Sequence, residues 1–403
     1  MEDLKAITLN ITALAFGGAG IGKLPDGKIC FVRGTVPGEV VEVLVTDERP
    51  AYAYARLISV KKASPARIHP ECPLAIDESD DSHRCPGCSY GHLTYETELN
   101  WKQKQLEGFL VRTGIADKSR FQKPEAAQHR YGWRNKIRLT SARGNILGYK
   151  EEDNTTVLDV PQCPLARKSI NDVLAKCREE KELPPHITFR WTLKDGVIVR
   201  KSTEAPDKRY LTEQMGKHGY FSVPENSFFQ INVPMATLLA EAVSNRLKML
   251  KTENLLELFC GVGVLSLIAA SENENLKVSG LELDKTAVDA ANLNARRQKM
   301  ASRCSYFDGD AAASFSMLAR KLSPDKTTIL IDPPRCGIVK ELCTKINRFH
   351  PHSIIYVSCA PDTLARDLKL FLAGGYEVCD IKLFDMFPTT AHFETLTVLR
   401  RNQ

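Results

Sequence analysis

The chain predicts an α/β protein: a helix-covered parallel sheet at the C-terminal end, preceded by a small β-barrel and a mixed α+β middle segment. Three observations carry this. From about residue 221, strand-like runs alternate with helix-like ones, the rhythm of a parallel sheet with helices on its faces. Residues 1–64 hold only short β-like runs broken by turns, the spacing of a small barrel. Residues 65–220 mix cysteines, one helix and further strands. A length of 403 residues allows about three domains.

In the first segment the β-like runs are 6–14, 29–32, 38–45 and 56–60, with Gly17-Gly18-Ala19-Gly20 turning after the first. Ser64-Pro65 marks the first boundary. In the middle segment, 95–112 reads as a helix and 134–141 as a strand. In the last, strands read at 254–258, 277–283, 327–331 and 353–358. Helices read at 265–270, 286–298, 339–347 and 362–372. The tail, 376–383 then 395–399, reads as an antiparallel edge pair. No internal repeat or low-complexity tract is present.

Composition excludes several classes. A hydrophobic fraction of 43% supplies full cores, and a net charge of +6 does not by itself establish a nucleic-acid partner. Twelve cysteines are too dilute at this length for a disulfide scaffold. Met1-Glu2-Asp3 lacks the basic start of a signal peptide. The longest apolar stretch, 255–270, contains Glu257 and two glycines and is short for a membrane span. The expectation is a cytoplasmic monomer with no membrane partner, whose cysteines are ligands, nucleophiles or core residues.

Leu258-Phe259-Cys260-Gly261-Val262-Gly263 follows a strand and opens a helix, so backbone can approach a ligand there. Glu282 ends the next strand, where an acid can bind ribose hydroxyls. Ser266 stands where a dinucleotide fingerprint has its third glycine. That disfavours NAD and favours a mononucleoside cofactor such as S-adenosylmethionine; a ligand-free tight turn is the alternative. Asp332, in Ile331-Asp332-Pro333-Pro334-Arg335, leaves the carboxyl end of another strand, the end at which open α/β sheets bind ligands. Cys359 ends the strand 354–358. Such a cysteine is usually packing, but here it joins Glu282 and Asp332 at one edge of the sheet.

Cys72, Cys85 and Cys88 fall close together, with Cys85-Pro86-Gly87-Cys88 a C-x-x-C, and Cys163 repeats the Cys-Pro-Leu setting of Cys72. Four soft thiolates suit zinc or an iron–sulfur cluster, and spacing alone favours zinc. His69, His83 and His92 lie nearby as substitutes. The run 129–144 holds Arg130, Arg134, Lys136, Arg138 and Arg143 with Tyr131 and Trp133, and no acid. As a strand, 134–139 puts Arg134, Lys136 and Arg138 on one face. That stripe suits RNA phosphates and stacked bases, or is a solvated sheet face.

These motifs together resemble the S-adenosylmethionine-dependent RNA uracil-5-methyltransferases, and within them the iron–sulfur branch that modifies 23S ribosomal RNA. The resemblance covers nearly the whole chain. It implies a TRAM domain, an OB-type RNA-binding barrel, at 1–64. Phe16-Gly17-Gly18-Ala19-Gly20-Ile21-Gly22 and Val36-Pro37-Gly38-Glu39 carry that part. It implies a central iron–sulfur and RNA-binding domain at 65–220 and a Rossmann-like class I methyltransferase domain at 221–403. Asn226-Ser227-Phe228-Phe229-Gln230-Ile231-Asn232 is similar to the family segment that enters the site. By that match Gln230 contacts the cofactor, and Phe228 is set to stack on the target base. Phe259, Gly261, Gly263, Val264, Glu282, Asp310 and Asp332 fall on cofactor positions. Cys72, Cys85, Cys88 and Cys163 match the ligands of a [4Fe–4S] cluster. Cys359 matches the nucleophile and Glu394 the base.

The resemblance implies a covalent mechanism. Uracil C5 is a poor nucleophile; addition of the Cys359 thiolate to C6 makes an enolate that is nucleophilic at C5. Glu394 then removes the C5 proton, and Arg335 or backbone amides steady the enolate oxygen. The base must leave its stack to be reached. Two features depart from the pattern. Cys72 and Cys85 are farther apart than in the family, with Asp77-Glu78-Ser79-Asp80-Asp81 between them, and Val264 replaces a polar residue. A tRNA uridine-54 C5 methyltransferase and a non-catalytic RNA-binding protein are the competing readings.

Overall fold

The computed structural model describes residues 6–76, 84–143, 145–151, 153–204 and 209–402. The acidic insert 77–81 and His83 lie outside them. The N-terminal strands are β1 (Ile7–Asn10), β2 (Ala13–Leu14), β3 (Gly20–Lys23), β4 (Ile29–Val32), β5 (Val40–Glu48) and β6 (Tyr52–Lys62). They form one six-stranded sheet in the order β1-β5-β6-β4-β3-β2. Alternation is strict in β4 and β6: Cys30, Val32, Ala53 and Ala55 point into the core while their neighbours face out. The sheet curls back on itself, since Thr12 N donates to Ile21 O at 2.9 Å. Buried Glu39 fastens it to the next segment, accepting from Arg67 Nε at 2.6 Å.

The middle segment begins with helix α1 (Tyr95–Val111), followed by β7 (Lys136–Ala142), β8 (Ile146–Lys150), β9 (Val157–Asp159), α2 (Lys168–Cys177), β10 (His186–Thr192) and β11 (Gly196–Lys201). The strands pair as β11-β10-β7-β8-β9. Trp133, Asn135, Ile137 and Leu139 face inward, so Arg134, Lys136 and Arg138 do share the other face. The ladder, however, starts at Lys136. Arg134 forms a lone parallel bridge with Ala166, its N–H donating to Leu165 O at 2.8 Å. That correction has a pairing cause: the backbone of Arg134 is taken by the segment before α2, with Arg167 N donating to Arg134 O at 3.0 Å, and the Arg134 guanidinium lies 5.2 Å from the Trp133 ring centroid. A hairpin of β12 (Tyr210–Gln214) and β13 (Tyr220–Pro224) straddles residue 220 and sends Phe221 and Val223 into the C-terminal core.

The C-terminal part runs α3 (Val233–Met249), β14 (Asn254–Leu258), α4 (Val264–Ser271), β15 (Lys277–Glu282), α5 (Lys285–Arg297), β16 (Cys304–Asp308), α6 (Ala311–Ala319), β17 (Thr327–Ile331), α7 (Lys340–Phe349), β18 (Ser353–Ser358), α8 (Pro361–Ala373), β19 (Tyr376–Phe384) and β20 (Glu394–Arg401). Its sheet order is β16-β15-β14-β17-β18-β20-β19. The five strands from β16 to β18 are parallel, and both faces are buried, as helix cover requires. Leu255, Val278, Leu330, Ile355 and Val357 join one core; Leu256, Leu258, Ile329, Ile331 and Tyr356 join the other. The tail is the expected antiparallel edge pair, with β20 slotted between β18 and β19.

Helix α1 packs into the C-terminal part: Leu106 and Leu110 join its second core. On another face of α1, Lys102 Nζ lies 2.8 Å from Glu98 Oε1 and 2.7 Å from Asp385 Oδ1, all fully buried. Tyr95 OH donates to the other Asp385 oxygen at 2.8 Å. Burial alone would lower the Lys102 ammonium, but Asp385 and Glu98 together hold it above its usual value. Removing one partner of such a group strands the others as buried charges. Lys102→Met is therefore expected to lose about 3–5 kcal/mol in urea denaturation, and a loss below about 1 kcal/mol, the range of exposed pairs, would show that the charges are solvated.

Candidate active site

The sheet order reverses direction between β14 and β17, the switch point at which α/β sheets open a crevice for ligands. β14 delivers Phe259 and the glycine loop to this crevice. Phe259 itself is left-handed (φ 62°), as are Gly261 (φ 51°) and Gly263 (φ 80°). A side chain on Gly263 would also meet Tyr306, 2.9 Å from its ring. Ser266, in place of a third glycine, is buried and bonds Tyr306 OH at 2.8 Å. Val264 starts α4, consistent with backbone contact only.

Acids gather at the same edge. Glu282, at the end of β15, accepts from Gly261 N at 3.0 Å and, through its other oxygen, from Leu283 N and Asp284 N. Asp310, exposed after β16, caps α6 by accepting from Ala313 N at 2.8 Å. Asp332 follows β17, and burial pushes its carboxyl up to about 7, with the charge of Glu282 adding to the effect. Glu257, which the sequence reading passed over as part of an apolar run, is fully buried below the glycine loop. Burial carries its carboxyl up to about 8, and its Oε2 has no hydrogen-bond partner.

Strand pairing places Cys359 and Glu394 face to face. Ser358 pairs with Thr395 across β18 and β20, so the next position outward sets Cys359 against Glu394. Side chains opposed this way have Cβ atoms roughly 4.5–5.5 Å apart. Because β20 runs antiparallel, its first residue lands at the carboxyl edge of the parallel strands. Glu394 is 4% exposed with Oε2 unpartnered. Burial holds its carboxyl well above the usual range, with Asp332 adding and Arg335 opposing. Burial also pushes the Cys359 thiol up to about 11, helped by Glu394 and opposed by Arg335. His392 is driven down to about 4 by burial and then by Arg335, Lys102 and Arg134.

The segment 226–232 spans the crevice. Ser227 Oγ donates to Asp284 Oδ2 at 2.9 Å, beside Glu282, and Asn232 Nδ2 donates to Met386 O at 2.9 Å, on the loop that leads to Glu394. Gln230 lies between these ties, and Phe228 is 77% exposed.

Cys72, Cys85, Cys88 and Cys163 are drawn into one apolar cluster. Burial, then the charges of Cys85, Cys163 and Cys72, lifts the Cys88 thiol to about 12. Among the described residues no three His, Cys, Asp or Glu side chains close on a point that could hold one metal ion. His92 is turned away, bonding Thr35 O at 3.2 Å. Thr389 links this cluster to the active site. Its hydroxyl lies 3.8 Å from Cys88 Sγ, its N–H donates to Glu98 Oε1 at 2.6 Å, and its carbonyl accepts from Tyr90 N at 2.9 Å.

The raised Asp332 carboxyl has a measurable consequence. An acid whose native pKa exceeds its unfolded value holds its proton more tightly when folded. Stability is then intact below the unfolded value of 3.8 and declines as pH rises through about 7. About 1.4 kcal/mol is at stake per pH unit of that window. Asp332→Asn removes this penalty, so the ligand-free variant should be more stable than the parent at about pH 8 and no more stable at about pH 4. Parallel denaturation curves at both pH values check it; an equal gap at both would show that Asp332 stays ionised.

Family models match three parts of the chain: the TRAM domain at residues 5–58, the methyltransferase small domain at 233–334 and tRNA (uracil-5-)-methyltransferase at 314–402. An uncharacterised RNA methyltransferase of Aquifex aeolicus is 29% identical, over 99% of each chain. A 23S rRNA (uracil(1939)-C(5))-methyltransferase of Legionella pneumophila is 27% identical, over 99% of this chain and 98% of that one. The crystal structure of Pyrococcus abyssi tRNA (uracil-54, C5)-methyltransferase with S-adenosyl-L-homocysteine superposes with a TM-score of 0.73 at 22% identity, over 98% of this chain and all of that one, and so shares the fold. Among the described residues no helix is long and apolar enough to cross a membrane. With a TRAM domain at one end, a uracil-5-methyltransferase segment at the other and RNA methyltransferases as full-length relatives, the chain is an enzyme of the RNA (uracil-5-)-methyltransferase class.

Proposed function

We propose that the enzyme methylates C5 of a uridine in 23S ribosomal RNA through a covalent adduct on Cys359. The observation that carries this reading is the pairing of β18 with β20, which opposes a thiol and a buried carboxyl at the ligand-binding edge of the sheet. S-adenosylmethionine, when bound, supplies an electrophilic methyl group beside a positive sulfonium. The glycine loop with Phe259, Gly261, Gly263 and Val264 would take its backbone-facing side. Glu282 would take the ribose, and Asp310, Asp332 and Gln230 would border the rest. Raised carboxyls at Asp332 and Glu257 fit a cationic guest, which would favour their ionised forms.

Cys359 attacks C6 of the uracil, and the electron pair moves to the O4 side as an enolate near Arg335. After C5 has been alkylated, Glu394 takes the C5 proton, the C5–C6 double bond reforms and the thiolate leaves. A carboxyl held well above its ordinary value is matched to receiving a proton at neutral pH. Phe228 would stack on the everted base, and Arg134, Lys136 and Arg138 would track the RNA backbone. The ribosomal substrate is supported by the Legionella pneumophila relative, aligned along both full lengths. The fold shared with a tRNA enzyme is neutral on this point.

The four clustered thiols fit the donor chemistry of a [4Fe–4S] cluster, bound by Cys72, Cys85, Cys88 and Cys163 in an apolar surround. Its place would be structural, behind Thr389. Anaerobically purified protein should then contain about four irons per chain, and Cys88→Ser should lose iron and colour. Zinc in place of iron would end that assignment.

Catalysis is tested by separating the two halves of the reaction. Cys359→Ala should form no 5-methyluridine while still binding S-adenosylmethionine. Glu394→Gln should add and alkylate but stall before elimination. It should accumulate a methyl-labelled RNA–protein adduct that survives denaturing electrophoresis and vanishes when Cys359 is also replaced. Normal turnover without an adduct would remove Glu394 from the mechanism.

A further inference from the structure

Each sulfur of the thiol cluster is faced by a hydrogen-bond donor. The backbone N–H groups of Leu74 and Ala75 face Cys72, and that of Gly87 faces Cys85. The Thr389 hydroxyl lies 3.8 Å from Cys88 Sγ. Cys163 is faced by the phenol of Tyr149. A neutral thiol is a weak acceptor and has little use for such partners, whereas a thiolate gains from charge-assisted bonds to them.

Tyr149 is the member of this set whose placement has no other explanation. It lies on β8, opposite Leu158 of β9, and its ring packs half-buried against the apolar wall around the sulfurs. Its hydroxyl is sealed from solvent and has no hydrogen-bond partner of good geometry among the described residues. A buried hydroxyl left unpaired is destabilising, and phenylalanine would fill the same space without that penalty. The backbone on the other side of the contact is fixed. Asn171 of α2 accepts from Cys163 N at 2.9 Å and donates to Cys163 O at 3.0 Å, and Ala166 N donates to the same carbonyl at 2.9 Å. The positive charge of Arg134 acts on Tyr149 and Cys85 alike. The surround thus offers positive charge as well as donors, which suits an anionic set of sulfurs.

We propose that Tyr149 is the hydrogen-bond donor to the Cys163 thiolate of the [4Fe–4S] site and sets how readily that site accepts an electron. The proposal rests on the iron–sulfur reading above and goes beyond it by naming the residue that tunes the site. Reduction adds negative charge that the sulfurs share, so a donor aimed at one of them favours the reduced state. No step of methyl transfer passes through Tyr149.

The test uses the full chain, purified anaerobically, in a mediated redox titration followed by electron paramagnetic resonance. Tyr149→Phe keeps the ring and removes only the oxygen. It should retain the parental iron content and accept an electron about tenfold less readily, a midpoint about 59 mV lower for a one-electron couple. Placing 3-fluorotyrosine at position 149, a stronger donor of nearly the same size, should move the midpoint the opposite way. A residue that only fills space would not give opposite shifts. Proton resonance of the reduced parent should also show one exchangeable, strongly coupled proton that the Phe variant lacks. Iron in the parent with an unmoved midpoint in both variants overturns the assignment of Tyr149 alone and leaves its hydroxyl to a buried water. A parent that holds no iron overturns the iron–sulfur reading and this proposal with it. Should the Phe variant lose its iron, the 3-fluorotyrosine protein decides: a raised midpoint supports the proposal and a parental one overturns it.

Discussion

The buried group of Glu98, Lys102 and Asp385 is the interaction on which the rest of the structure depends. One ammonium, excluded from water, joins α1 to the turn that follows β19, nearly three hundred residues later in the chain. The same Glu98 receives Arg130 and the N–H of Thr389. Thr389 is left-handed (φ 65°) although β-branched, a conformation that costs of order 1–3 kcal/mol and survives only where its surroundings over-determine it. A charge-assisted hydrogen bond from its N–H and the contact with Tyr90 provide that constraint. Five residues later the chain reaches Glu394. The angle at which the carboxyl enters the crevice is thus set by charges on a helix from another part of the molecule.

This arrangement gathers every segment at one place. Gln105, one turn along α1, donates to Leu14 O and Ala15 O of the first sheet and to Tyr90 OH. Phe16 of that sheet packs edge-on against Phe393, next to Glu394. Cys88 touches Thr389 from the thiol cluster. The N-terminal sheet, the thiol cluster and the catalytic edge therefore share one buried anchor. On the proposed reading, this explains how a cluster with no step in the chemistry could still matter to it: a group bound by Cys88 would stiffen the turn that holds the base.

How much of this was legible in the sequence follows the range of each interaction. Strands β14, β17 and β18 were read to the residue because a parallel strand buried on both faces is a short, mostly apolar run. Asp332 could be picked out for the same reason, as the first polar group after the run ending at Ile331, whereas Glu282 and Cys359 were singled out only as strand ends. α6 was missed because its alanine-rich stretch lacks a polar face, and β16 because Cys304–Asp308 is short and ends exposed. Glu257 looked like an interruption in an apolar stretch; only the fold shows that it lies beneath the glycine loop beside other acids. The Glu98–Lys102 spacing is an ordinary helical pair in sequence, and nothing local reveals that Asp385 completes it. Arg134 fell outside the ladder because its backbone bonds Leu165 and Arg167 rather than a neighbouring strand, although alternation of buried positions runs on through Trp133.

The edge strand illustrates the same limit and its functional use. A sheet built only of parallel strands would present the start of a further strand at the edge opposite the ligands. Running β20 antiparallel brings Glu394 to the ligand edge and sets it directly across from Cys359. On the proposed reading, two groups that act on adjacent atoms of one ring are thereby spaced by backbone hydrogen bonds rather than by flexible loops. The cost is a buried carboxyl, held well above its ordinary value by burial and then by Asp332, with Arg335 opposing. On the proposed reading, the burial and like charge that make this edge expensive to fold around in the ionised state also fit its carboxyl to accept a proton once the crevice is filled.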